Sequence, residues 1–157
     1  MRTLDLILMA LLPATAAGQV ASYTYIDQQA PYKNRVGLPS LTALNLPRIG
    51  TTLQLQLAGS ESNRTYVSLN FLATGLRNPN FRIDVLGGHL YTSAEIVTYV
   101  GRCGGSTCTR TITFTIPNSS QLLGVHFYQQ VLNRYQLLGS PTSTFRLYRG
   151  GHGVIGK

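Results

Sequence analysis

Residues Glu95–Pro117, EIVTYVGRCGGSTCTRTITFTIP, decide the fold class. Two runs rich in β-branched and aromatic residues flank a Gly-Gly-Ser-Thr turn, with one cysteine on each side of it. The stretch reads as a β-hairpin pinned by a disulfide between Cys103 and Cys108. Facing cysteines would pair Tyr99 with Ile112 and Val97 with Phe114 on an apolar face. Thr109, Thr111, Thr113 and Thr115 then line the opposite face, which suits solvent. One face in and one face out predicts a layered all-β domain.

The same alternation recurs on both sides of this stretch. Downstream of Gly50, Leu53, Leu55 and Leu57 alternate with Gln54 and Gln56, the pattern of a half-buried strand. Across a polar turn, Val67, Leu69 and Phe71 alternate with Ser68 and Asn70, so residues 51–57 and 66–73 are expected to form a hairpin. Short strands are also expected at 21–26, within 39–46, at 81–85 and at 144–148. Residues 121–132 support either a helix or a strand. Gly124 disfavours the helix and Leu123, Val125, Phe127 and Val131 share one extended face, so strand is the reading adopted. The glycine-rich tail GGHGVIGK reads as a turn followed by a short strand, or as a loose end. About eight strands with regular turn signals predict an all-β, two-layer antiparallel β-sandwich, Ig-like or jelly-roll-like.

Residues 1–18, MRTLDLILMALLPATAAG, read as a signal peptide, and residues 19–157 as a single β-sandwich domain. Arg2 supplies positive charge, Leu6 to Leu12 a short apolar core, and Ala14-Thr15-Ala16 or Ala16-Ala17-Gly18 the small residues before cleavage. The apolar run is well short of the about 20 residues that a membrane span needs. No later run is long enough either, so the mature chain is expected to lack a transmembrane segment and to be secreted or held at the cell surface, extracellular or periplasmic.

The chain carries 13 Lys and Arg against 5 Asp and Glu, a net charge of +8. Such a balance favours anionic partners, and anionic polysaccharide or cell-envelope material is the expected one. The arginines are spread along the chain without a basic run, so specific nucleic-acid binding is not expected. Two cysteines in an exported chain read as one bridge, worth about 2 kcal/mol for so short a loop. A metal centre is not expected: Cys-x4-Cys has no second cysteine pair, and His89, His126 and His152 lie far apart in the sequence. No cofactor motif is present, because Gly150-Gly151-His152-Gly153 opens no helix.

Several stretches together carry a resemblance: Leu46-Pro47-Arg48-Ile49-Gly50-Thr51-Thr52-Leu53, Ile116-Pro117-Asn118 followed by Leu122-Leu123-Gly124, Phe127-Tyr128-Gln129-Gln130, and Gly153-Val154-Ile155-Gly156. Over residues 22–156 the chain resembles a secreted β-rich domain of large-genome environmental bacteria, planctomycete-like ones in particular, often C-terminal in longer extracellular proteins. Members usually carry two Gly-Cys sites. Here the corresponding places, around Asp27 to Ala30 and at Gly88-His89, hold no cysteine, so Cys103 with Cys108 would be a local replacement. The resemblance implies export and a β-sandwich, and it transfers no active site.

Catalytic patterns are sparse. There is no Gly-x-Ser-x-Gly elbow, and only Asp27, Glu61, Asp84 and Glu95 remain as carboxylates after the leader. Asp84 and Glu95 as a glycoside-cleaving pair, or Asp84, His89 and Ser93 as a hydrolytic set, are the combinations open to a secreted hydrolase. Aromatic ligand contacts are a stronger expectation. Among nine tyrosines, Tyr23, Tyr25 and Tyr32 lie in or near a polar loop region and are the candidate ligand contacts. The sequence therefore predicts a non-catalytic extracellular structural or binding module, with a carbohydrate-binding or adhesion module as the alternative and a secreted hydrolase third.

Overall fold

The computed structural model describes residues 19–26, 40–59, 66–83, 88–103 and 108–157. These form ten strands: β1 (Ser22–Ile26), β2 (Ser40–Ala43), β3 (Thr52–Gly59), β4 (Tyr66–Gly75), β5 (Phe81–Ile83), β6 (Gly88–Leu90), β7 (Ile96–Cys103), β8 (Cys108–Thr115), β9 (His126–Leu137) and β10 (Ser143–Val154). A five-stranded sheet, β1-β10-β9-β4-β7, packs on a three-stranded sheet, β2-β3-β8, with β5 and β6 forming a separate ribbon. All strand pairs are antiparallel. The fold is an all-β two-layer sandwich.

Leucines at every second position make the three-stranded sheet one-sided. Leu41, Leu53, Leu55 and Leu57 are almost wholly buried, and they meet Leu72, Phe127, Val131 and Tyr148 of the larger sheet. The stretch 121–132 is extended, as read, from His126 onward. Its first part is a 3-10 turn, Ser120–Leu122, followed by Gly124 in the left-handed region at φ 78°. The tail is not loose. Ile49 N–H donates to Gly156 O (2.9 Å) and Gly156 N–H to Pro47 O (3.1 Å), so the C-terminus clasps the β2–β3 connection. A side chain at Gly156 would collide with the Ala21 backbone, which is why this crossing takes glycine.

Two expected hairpins are corrected. β7 and β8 do not pair with each other: β7 pairs with β4 and β8 with β3, in different sheets. Ile112 lies opposite Leu55 and Phe114 opposite Leu53, whereas Tyr99 lies opposite Phe71 and Val97 opposite Ala73. The threonine face of β8 is exposed as expected. β7 and β8 thus lie in different layers. Likewise β3 and β4 belong to different sheets and form no hairpin. Alternation states which residues share a face, and it is the same for a strand that folds back beside its neighbour and one that crosses to the facing sheet.

In β4 the face bearing Ser68 and Asn70 is the buried one. Ser68, Asn70 and Leu72 point into the sandwich, each at 1% exposure or less, while Val67, Leu69 and Phe71 point outward. Register with β9 sets Leu72 opposite Val131, Asn70 opposite Asn133 and Thr74 opposite Gln129. The buried amides bond within the core: Asn133 Nδ2 donates to Asn70 Oδ1 (2.7 Å), Gln129 Nε2 to Thr74 Oγ1 (3.3 Å), and Tyr23 Oη to Gln129 Oε1 (3.0 Å), while Asn133 Oδ1 is buried without a partner. The bonds offset most of the cost of burying these groups, and the orphaned oxygen is the part left over. The larger sheet therefore carries apolar residues on both faces, and the three-stranded sheet covers one of them.

Candidate binding face

The outward face of the five-stranded sheet is divided by a segment of which residues 76–83 and 88–95 are described. Gln130, wholly buried, anchors that segment: its Oε1 accepts from Tyr91 N–H (2.9 Å), and its Nε2 donates to His89 O (2.8 Å) and Tyr148 O (2.9 Å). Thr92 Oγ1 donates to Tyr128 O (3.2 Å). Gly75 and Gly150 leave room for the overlay, since a Cβ on either would press on Ser93 and Glu95 or on Tyr91. The segment covers the sheet around Gln130.

Beyond it, among the described residues, the face is exposed. Phe71 lies in register between Tyr99 and Leu132, and Leu69 between Arg102 and Arg134, with Phe145 next to Arg134. Val97 and Tyr99 are each 55% exposed and Phe145 is 40% exposed. The Phe71 and Tyr99 rings lie 5.5 Å apart at 54°. Four strands wide and five residues long, the patch measures about 14 Å by about 13 Å at ordinary sheet spacings.

A bulge assembles this patch. Register slips between Asn70 and Phe71, so that β7 spends an extra residue at Val100. In a regular strand Tyr99 and Arg102, three apart, would lie on opposite faces. The bulge brings both outward, and Gly101 at φ 143° supplies the backbone freedom. Arg134 is held over the same face, its Nε donating to Ser143 Oγ (3.1 Å). The patch is aromatic at its centre and cationic at one end. Glu95 is the only side-chain carboxylate among the described residues.

Of the three tyrosines expected as ligand contacts, Tyr23 and Tyr25 lie among the described residues, on β1. Tyr23 packs against the core under Gly151 and beside Phe127, and burial, with Tyr25 next to it, pushes its phenol well above the usual range. Tyr25 is 42% exposed, and its oxygen accepts from Ala43 N–H (3.0 Å), tying β1 to β2. The two rings meet edge to face at 5.8 Å. Tyr32 lies outside the described residues. So do the side chains of Cys103 and Cys108, whose backbones end β7 and begin β8.

Of the groups considered for hydrolysis, Asp84 also lies outside the described residues. Ser93 donates its hydroxyl to Glu95 Oε2 (2.6 Å), and Leu76 N–H donates to the same oxygen (3.2 Å). These bonds, the one from Ser93 foremost, hold the Glu95 carboxyl below its ordinary pKa. The carboxylate fastens the 93–95 turn to the end of β4. His89 Nδ1 lies 3.1 Å from Asn80 Oδ1, and its ring stacks on Tyr91. Ser93 and His89 are thus engaged with different partners.

Among the described residues no three His, Cys, Asp or Glu converge as a metal site. Two histidines do meet: His126 Nδ1 and His152 Nε2 are 2.8 Å apart, and Tyr128 stacks on His152 at 4.7 Å. Burial, then the neighbouring His126, lowers the His152 pKa. Sequence separation concealed this pair, and the β9–β10 register reveals it. The signals for the open patch were the absence of any charge in YVSLNFLATG and the glycine before Arg102. No helix among the described residues is long and apolar enough to cross a membrane. No family model matches the chain, and no curated protein matches it.

Proposed function

We propose that the chain is a non-catalytic binding module that holds an acidic polysaccharide on the open face of its five-stranded sheet. The observation that carries this reading is the Phe71–Tyr99 aromatic pair with Arg102 and Arg134 on the same face. Aromatic rings present flat apolar surface to the C–H faces of sugars, and guanidinium groups pair with carboxylate or sulfate in a fixed fork geometry. The +8 charge of the chain raises the rate of encounter with such a polymer. Export fits the partner, and the leader-like residues 1–18 and the two cysteines, Cys103 and Cys108, support it. N-terminal sequencing of the secreted chain and its mass before and after reduction test both points.

The binding test uses immobilised alginate and dextran sulfate, with uncharged dextran as control. Retention on the acidic polymers and its loss in high salt are expected, because exposed charge pairs are screened. The Arg102→Gln, Arg134→Gln double variant should lose about tenfold in affinity, equivalent to about 1.4 kcal/mol. Tyr99→Ala should weaken binding without changing the salt dependence. Equal retention by the arginine variant and the parent would refute the assignment. The Phe71–Tyr99 ring pair also supports a neutral-carbohydrate adhesion module, for which binding would depend on Tyr99 and be indifferent to salt.

A further inference from the structure

We propose that His126 and His152 form a surface site for a divalent transition-metal ion of tetragonal preference, Cu(II) above Ni(II), with solvent completing the coordination. The two side chains project from neighbouring strands on the outward face of the larger sheet, away from the aromatic patch. Val154 lies opposite His126, and Tyr128 and Thr24 lie opposite His152. Their facing nitrogens are 2.8 Å apart.

At a metal–nitrogen distance of about 2.05 Å, this separation subtends about 86° at a shared ion, whereas a tetrahedral ion needs about 3.3 Å between the nitrogens. The pair is therefore spaced for adjacent positions of a square-planar or tetragonal ion, the geometry of Cu(II) and Ni(II) with imidazole ligands. Tyr128 stacks on His152 with its ring 10° from parallel, which restricts rotation of that imidazole. Ser22, Thr24, Val154 and Tyr128, the register neighbours on this face, carry no charge to repel a cation. His126 is exposed, so the ion has a path from solvent. On binding, whichever ring donates in this contact passes its proton through solvent to its own far nitrogen, so both facing nitrogens offer a lone pair to the ion. Each neutral imidazole then carries its hydrogen on the nitrogen facing away.

The test is titration of the full chain, free of any affinity tag, with Cu(II) alone, followed by tyrosine emission and electron paramagnetic resonance. One equivalent should bind, quench Tyr128 and give a tetragonal signal with coupling to two nitrogens. His126→Asn and His152→Asn should each weaken binding at least about tenfold, the loss of one of two protein ligands, whereas His89→Asn should not. Because His126 is exposed, its variant keeps the test valid if the His152 variant is unstable. Copper should also raise the melting temperature of the parent and not that of His126→Asn, since the site exists only when β9 and β10 are paired. Unchanged affinity in the His126 variant, an equal effect of His89→Asn, or a signal without nitrogen coupling would overturn the proposal.

Discussion

Phe71 and Leu72 are neighbours in β4, and replacing each by alanine tests which face of that strand is the core. By side-chain size alone Phe71→Ala should be the costlier change. The structure reverses the order. Leu72 is at 0% exposure and packs in the cluster with Leu55 and Val131, so its truncation loses the transfer energy and leaves a cavity, about 2–5 kcal/mol. Phe71 is half-buried on the outer face, and its loss removes part of its apolar contact and the ring pair with Tyr99. That amounts to roughly 1–1.5 kcal/mol, with the partly exposed ring pair contributing at the lower end of the range for such pairs, about 0.5 kcal/mol. At about 3 °C per kcal/mol for a chain of this size, Leu72→Ala should lower Tm by roughly 6–15 °C and Phe71→Ala by roughly 3–5 °C. Urea unfolding followed by far-UV circular dichroism gives both differences directly, provided the denaturant slope stays constant across the set. If Phe71→Ala costs as much as Leu72→Ala, the phase of β4 is wrong, and with it the open face.

Other outcomes follow from the buried amides, the close-packed glycines and the 93–95 turn. Asn70→Ala leaves Asn133 Nδ2 buried without its partner and should cost about 1–3 kcal/mol in equilibrium unfolding, much of it recovered in the Asn70→Leu, Asn133→Leu double variant. Gly153→Ala drives a methyl group into the Phe127 ring and should cost roughly 1–3 kcal/mol, with part relieved by Phe127→Leu in a double-mutant cycle. The folded-state pKa of Glu95 lies below its ordinary 4.5, so its contribution is complete above that value and is lost as pH falls through the depressed one. The stability difference between the parent and Glu95→Gln, measured from neutral to acid pH, should therefore shrink in that window. A difference that grew as pH fell would contradict the sign.

The all-β class and most strand positions were legible in the sequence because period-two alternation is a local property. Leu53, Leu55 and Leu57 announce their burial without reference to any partner. Pairing is not local. Whether β7 lies beside β8 or crosses to β4, and whether Phe71 or Leu72 faces the core, depends on which distant strand offers the better register. Asn133, Gln129 and Val131 of β9 provide that register for β4, and they lie more than fifty residues along the chain. The same dependence explains why Tyr23, expected in or near a polar loop, packs against the core, while Phe71, Tyr99, Arg102 and Arg134 came together at the surface. Composition and alternation determined that this chain builds layered sheets with a basic character. Only tertiary structure decided which apolar face is left uncovered, because three strands conceal one side of a five-stranded sheet and a one-residue bulge sets what stands on the other.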